Sequence, residues 1–192
     1  MPKYAYVILA VGSFSWFVPL LRQRRRAAPA QTVDRRARWG LLLVAAGYSL
    51  PWQTQFWTRS PEAWRIALAV ACFVVANVFS WSAARALGRH WRIEAGLCAD
   101  HELVRSGAYR FVRHPIYTSM LLVIVGTGLI LAPLYLLVPS VLLYLLGTEV
   151  RVRAEEALLA ARFGQEFLEY RRSVPAYVPI PRGLRRGNGI RD

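Results

Sequence analysis

The stretch IYTSMLLVIVGTGLILAPLYLLVPSVLLYLLGTEV, residues 116–150, carries no charge before Glu149. Ala132-Pro133 divides it into halves of about 16 residues, or roughly 24 Å of helix each. Each half alone falls a little short of a hydrocarbon core of about 30 Å. A tight helical hairpin with both ends on one side of a membrane satisfies this pattern. Proline at the bend suits a chain that must stop one helix and begin another.

Working outward, Tyr4–Leu21, Trp39–Trp57 and Ala63–Ala84 are also nearly free of charge, Arg65 apart. Apolar runs of about 18 residues or more read as membrane helices. Pro19 is expected to kink the end of the first helix, and Pro51 lies inside the second. Pro61 is expected to open the third, which ends near Gly88. Trp39, Trp52, Trp57 and Trp64 fall near segment ends, where indoles favour the interface. The fold expected is all-α: a polytopic membrane bundle of about five transmembrane helices, with a C-terminal helical hairpin and a cytoplasmic pocket. Residues 1–192 form a single integral membrane domain. Residues 1–86 supply the N-terminal helices and 87–181 the half that carries the chemistry.

The chain has 192 residues, is 55% hydrophobic and carries a net charge of +14. Lys3 is the only lysine. Such basicity would suit nucleic acid, but its distribution does not. Arg22, Arg24, Arg25, Arg26, Arg35, Arg36 and Arg38 crowd the first connection, whereas the next has Arg59 alone. This alternation is the positive-inside pattern. It places the N-terminus outside and the C-terminus in the cytoplasm, and makes membrane lipids, not nucleic acid, the partner of the arginines. Arginines follow the first apolar run instead of preceding it, so that run reads as a retained anchor. The lysine-poor usage points to a bacterial inner membrane. Cys72 and Cys98 share no ligand spacing and are expected to be reduced thiols, with neither disulfide nor metal.

The chemistry gathers at the open end of the hairpin. Arg113 and His114 precede Pro115, which opens a helix and leaves backbone N–H groups able to meet an anion. Tyr117 sits in the first turn. Across the hairpin, Glu149, Arg153 and Glu156 recur on one helix face, with Arg151 and Glu155 as an i, i+4 pair beside them. Taken alone, Arg151–Glu155 reads as a solvated helical pair. Charges of both signs at a membrane surface suit a zwitterionic ligand with an amino-acid end. Arg113, His114, Glu149 and Arg153 are the candidate catalytic residues. Gly126-Thr127-Gly128 reads as close helix packing, or as a gap that admits a cofactor. The second hairpin helix is expected to continue through Tyr170, with Gly164 as a weak point. The tail Val174–Pro181 is too rich in proline for helix and reads as an extended strap.

In order, Leu103–Tyr117 with its Arg-His-Pro-Ile-Tyr segment, then Glu155-Glu156, then Phe163–Tyr170, resemble the isoprenylcysteine carboxyl methyltransferase and phospholipid methyltransferase superfamily. The likeness covers roughly Leu87–Pro181. Gly107-Ala108-Tyr109 stands where the family often has Gly-Pro-Tyr, Ser119 where it often has glycine, and Phe167 where tyrosine is common. The resemblance implies a membrane enzyme that uses S-adenosylmethionine and methylates a lipophilic acceptor. It implies a cofactor pocket built from His114, Tyr117, Gly126, Gly128, Glu155 and Glu156, with Tyr109 and Tyr177 alongside. Glu156 would take an ammonium or ribose hydroxyls, and Arg113 or Arg153 a carboxylate. Tyr117 and Tyr177 would flank the adenine or sulfonium. Two other readings are a sterol-reductase-like enzyme using NADPH and a non-catalytic lipid-binding bundle.

Overall fold

A computed structural model describes residues 1–24, 32–33, 37–88, 96–97 and 102–178. Six α-helices dominate: α1 Lys3–Arg24, α2 Ala37–Ser49, α3 Ala63–Leu87, α4 Pro115–Leu131, α5 Leu134–Phe163 and α6 Gln165–Ser173. Two residues of β1, Thr32–Val33, pair antiparallel with β2, Gly96–Leu97, a contact the helical pattern does not foretell. Most of the arginine-rich connection, Cys98 and the tail from Pro179 onward lie outside the described residues.

α1, α3 and α5 are long and apolar enough to cross a membrane. Their exposed surfaces are hydrophobic, as Phe14, Val78, Leu142 and Leu146 show. This is the surface of a membrane protein. α4 has 17 residues and α2 has 13, both short of that length. The second helix therefore stops well before the expected Trp57. Pro51 has no N–H and crowds the carbonyl four residues back, so the chain passes into 3-10 turns at Leu50–Trp52 and Phe56–Thr58. That freed carbonyl, on Gly47, accepts the Ser140 hydroxyl at 2.7 Å. Pro19 is accommodated in the same way inside α1: the Ser15 carbonyl it orphans accepts Trp81 Nε1 at 3.2 Å. Pro61 lies just before the Glu62 N-cap of α3, not in its first turn.

α2 and α5 pack antiparallel along Ala37, Gly40, Val44 and Gly47 against Ala154, Arg151, Tyr144 and Ser140. Backbones touch here. A Cβ on Gly147 would lie 2.5 Å from the Gly40 carbonyl oxygen, and one on Gly47 2.8 Å from that of Ser140. α3 and α4 also run antiparallel, with Gly126 against Ala69 and Phe73. α1 lies parallel to α3, joined by Asn77 to Gly12 and Ser80 to Trp16.

The hairpin turns at Ala132-Pro133. α5 ends at Phe163, short of the expected Tyr170, because Gly164 takes φ +52°, a left-handed conformation that breaks the helix and starts α6. Phe167, Tyr170 and Val174 then bury one face of α6 against Leu103 and Leu159. This fold returns the chain to the open end of the hairpin.

Candidate active site at the open end of the hairpin

α4 begins with Pro115 at its first position and His114 as cap residue. The amides of Arg113 and His114, just ahead of the helix, are taken up by the C-terminal segment. Arg113 N–H donates to the Pro175 carbonyl at 2.8 Å and His114 N–H to that of Ala176 at 3.0 Å. The expected strap is thus observed across residues 174–178, because carbonyls of a proline-containing segment can satisfy the open helix end. Thr118 Oγ1 adds a bond to the Tyr177 carbonyl at 2.9 Å, and the Tyr177 hydroxyl reaches over to Glu149 Oε2 at 3.0 Å.

Beneath the strap, Glu155 and Glu156 diverge, as neighbours on a helix must. Glu156 is buried and binds on both oxygens. Arg113 donates Nε and Nη2 to Oε1 at 2.9 and 2.8 Å, and His114 Nε2 lies 3.1 Å from the same oxygen. Arg171 of α6 reaches Oε2 at 3.3 Å. Arg113 Nη1 donates to the carbonyls of Arg171 and Val174. Arg113 is therefore spent on internal bonds. Glu155 has a side chain 25% exposed. Its Oε1 accepts the Tyr117 hydroxyl, and its Oε2 lies 3.7 Å from His114 Nδ1. The imidazole of His114 is thus held between the two glutamates. Its ring lies 6.0 Å from that of Tyr117 and 6.2 Å from that of Tyr177, forming a three-ring group.

Arg151 is central, which the sequence reading missed. It is buried, donates Nε to the Tyr117 hydroxyl at 2.8 Å, and places Nη2 3.7 Å from Glu155 Oε1. The solvated pair is instead Arg153–Glu149, at 2.8 Å with side chains 79% and 45% exposed. The i, i+4 spacing revealed both pairs. Which one is buried depends on α2, whose approach no local pattern encodes. Arg171, Thr118 and Tyr144, whose hydroxyl donates to the Tyr117 carbonyl at 2.6 Å, were missed for the same reason.

Burial raises the hydroxyl pKa of Tyr109, and the charge of Glu155 raises it further. Burial likewise raises Tyr177, with Glu149 adding to it, and pushes Tyr170 up to about 12. All three are neutral hydrogen-bond donors at physiological pH. Tyr109 lies beside the cluster, its carbonyl accepting the Tyr170 hydroxyl at 2.7 Å. Gly126 and Gly128 lie deeper in α4 and are packed, Gly126 against α3 and Gly128 against Leu137. The structure thus brings together Arg113, His114, Tyr117, Glu155, Glu156 and Tyr177, with Tyr109 beside them and Glu149 and Arg153 at the rim. It does not bring the two glycines to them. Cys72 is buried in α3. Among the described residues, no group of three or more His, Cys, Asp or Glu side chains is arranged to hold a metal ion.

Residues 69–161 match the isoprenylcysteine carboxyl methyltransferase (ICMT) family. The match holds α4, most of α3 and α5, and every residue of the Arg113–Glu156 cluster except Arg171 and Tyr177. A protein-S-isoprenylcysteine O-methyltransferase of Schizosaccharomyces pombe is 35% identical over 82 residues, covering 42% of this chain and 34% of that protein. One from Tribolium castaneum is 21% identical over 184 residues, 93% of this chain and 65% of that protein. The cobalt-zinc-cadmium resistance protein CzcN of Cupriavidus metallidurans is 38% identical over 80 residues, 42% of this chain and 37% of that protein. The chain therefore spans between 34% and 65% of the length of these relatives.

Proposed function

We propose that this protein is a membrane-embedded methyltransferase that uses S-adenosylmethionine to methylate a lipophilic acceptor, as the ICMT-family relatives named above suggest. One observation carries the reading: a partly exposed carboxylate, Glu155, lies by the rings of His114 and Tyr117, with Tyr177 of the strap over them, at the open end of an apolar hairpin. This donor set fits the cofactor. Glu155 can accept an ammonium or ribose hydroxyls through charge-assisted bonds. The rings of His114, Tyr117 and Tyr177 offer π faces to a sulfonium or adenine. Arg153, most of its surface in solvent, remains able to pair with a carboxylate. Bound there, S-adenosylmethionine supplies an activated methyl group.

The protein's own part is positioning. Glu156 holds Arg113, His114 and Arg171, and so fixes the strap, α4 and α6 to α5. The strap excludes water and keeps the reacting groups in register, from which much of the rate derives. A carboxylate acceptor loses its charge on methylation, and an apolar surround favours that loss.

In this reading all five helices α1–α5 cross the bilayer, the shorter α2 and α4 as partners of the long ones. Residues 1–192 form one membrane domain, 1–86 its N-terminal helices and 87–181 its cofactor half. The contacts that make α1 parallel to α3, and α2 antiparallel to α5, support this alternation. Arg22 and Arg85 flank Trp81 at the end of the bundle nearest the cluster, consistent with that end being cytoplasmic.

Detergent-purified protein titrated with S-adenosylmethionine and with NADPH tests the reading. Saturable binding of the first alone is expected, followed by transfer of radiolabelled methyl to a lipid-soluble product. Binding of NADPH alone would replace the reading with a reductase.

A further inference from the structure

Outside the matched segment, α2 meets Arg151 at a residue without a side chain. A Cβ on Gly40 would lie 2.7 Å from Arg151 Cγ, 3.3 Å from Arg151 N and 2.5 Å from the Gly147 carbonyl oxygen. Gly40 therefore lets α2 close directly over the stem of Arg151. The Arg151 guanidinium lies 5.8 Å over the Tyr117 ring, with Nε on the hydroxyl. That hydroxyl donates to Glu155. A close-packed interior passes such a displacement on, since neighbouring side chains have no free volume to absorb it. Gly12 of α1 is closed on about as tightly, but by Phe73 of α3, whose Cγ a Cβ there would meet at 2.6 Å, away from Arg151.

We infer that Gly40 is a positioning residue of the site: it seats Arg151 so that Tyr117 and Glu155 are oriented for the ligand. The proposal rests on the cofactor reading above for what is bound, but not for what is positioned. It assigns a role in the site to the N-terminal half of the chain.

Gly12→Ala serves as the control, because it strains a helix pair of the same bundle without touching Arg151, Tyr117 or Tyr144. Two measurements are compared in Gly40→Ala and Gly12→Ala. One is the affinity of the purified protein for S-adenosylmethionine. The other, free of ligand, is the 13C resonance of the Tyr117 phenolic carbon, assigned by its loss in Tyr117→Phe. Gly40→Ala is expected to weaken binding at least tenfold and to move the resonance. Gly12→Ala, at a comparable loss of Tm, should leave affinity within about twofold and the resonance in place. Equal effects of both variants, or none from either, would overturn the proposal. If the native protein binds no S-adenosylmethionine while the resonance still responds to Gly40→Ala alone, the cofactor reading fails and the positioning role stands. Should Gly40→Ala not fold, Arg151→Met in the native helix pair replaces it. Unchanged affinity and an unmoved Tyr117 resonance there would leave Gly40 nothing to position, and the proposal falls.

Discussion

The two ends of the α4–α5 hairpin handle polar groups in opposite ways. At the bend, side chains are consumed by backbone. Arg65, buried in α3, donates Nη2 to the Ala132 carbonyl at 2.9 Å, and Thr54 donates to that of Leu131 at 3.1 Å. These are carbonyls that a helix end leaves without partners. At the open end, backbone is satisfied by the strap, and side chains are left to pair with one another. Glu155 keeps part of its carboxylate accessible there. A charge at the bend is thus structural, whereas charges at the open end form a site. The same residue type, arginine, serves both purposes, and only its partners tell them apart.

The comparison breaks most readily at Glu156. Its replacement by alanine leaves Arg113 buried without a counter-charge, which typically costs about 3–5 kcal/mol. A Tm drop of many degrees with loss of S-adenosylmethionine binding is expected, and a native Tm would show that Glu156 is not the joint between strap and helices. Gly147→Ala comes next. Its methyl would press on Gly40 and Val44 backbone, and overpacking of that kind costs about 1–3 kcal/mol. Detergent-denaturation midpoints would reveal it.

Arg65→Met sharpens the contrast. It leaves the Ala132 carbonyl without its partner, at about 1–3 kcal/mol. Stability should fall while ligand affinity stays native, and a parallel loss of affinity would erase the distinction between the two ends. Smallest of all is Arg153→Ala, expected to change stability by no more than about 0.5 kcal/mol, because an exposed i, i+4 pair is screened by solvent. A shift of several degrees in Tm would mean that the rim pair is structural after all.

Much of this arrangement was legible in the sequence. The charge-free run 116–148 with one Ala-Pro break specified the hairpin, and its span dictated that both charged ends meet. Proline content foretold the strap. Interhelical distance was not legible. Arg151 and Arg153 have the same spacing to a glutamate, yet one is buried and the other is nearly all in solvent, because Gly40 brings α2 against Arg151 alone. The short α2 was also hidden, since its apolar run continues past Pro51 although its helix cannot. The glycines of the Gly-Thr-Gly segment carried two meanings in sequence, and their contacts are those of helix packing.

The central claim is that the open end of the hairpin holds the methyl donor. Its most direct test is the affinity of the native protein and of His114→Ala for S-adenosylmethionine, measured by calorimetry in detergent alongside Tm. Saturable binding by the native protein, weakened at least tenfold in a variant that keeps its fold, is the predicted result. Equal affinity in the two proteins would contradict the account.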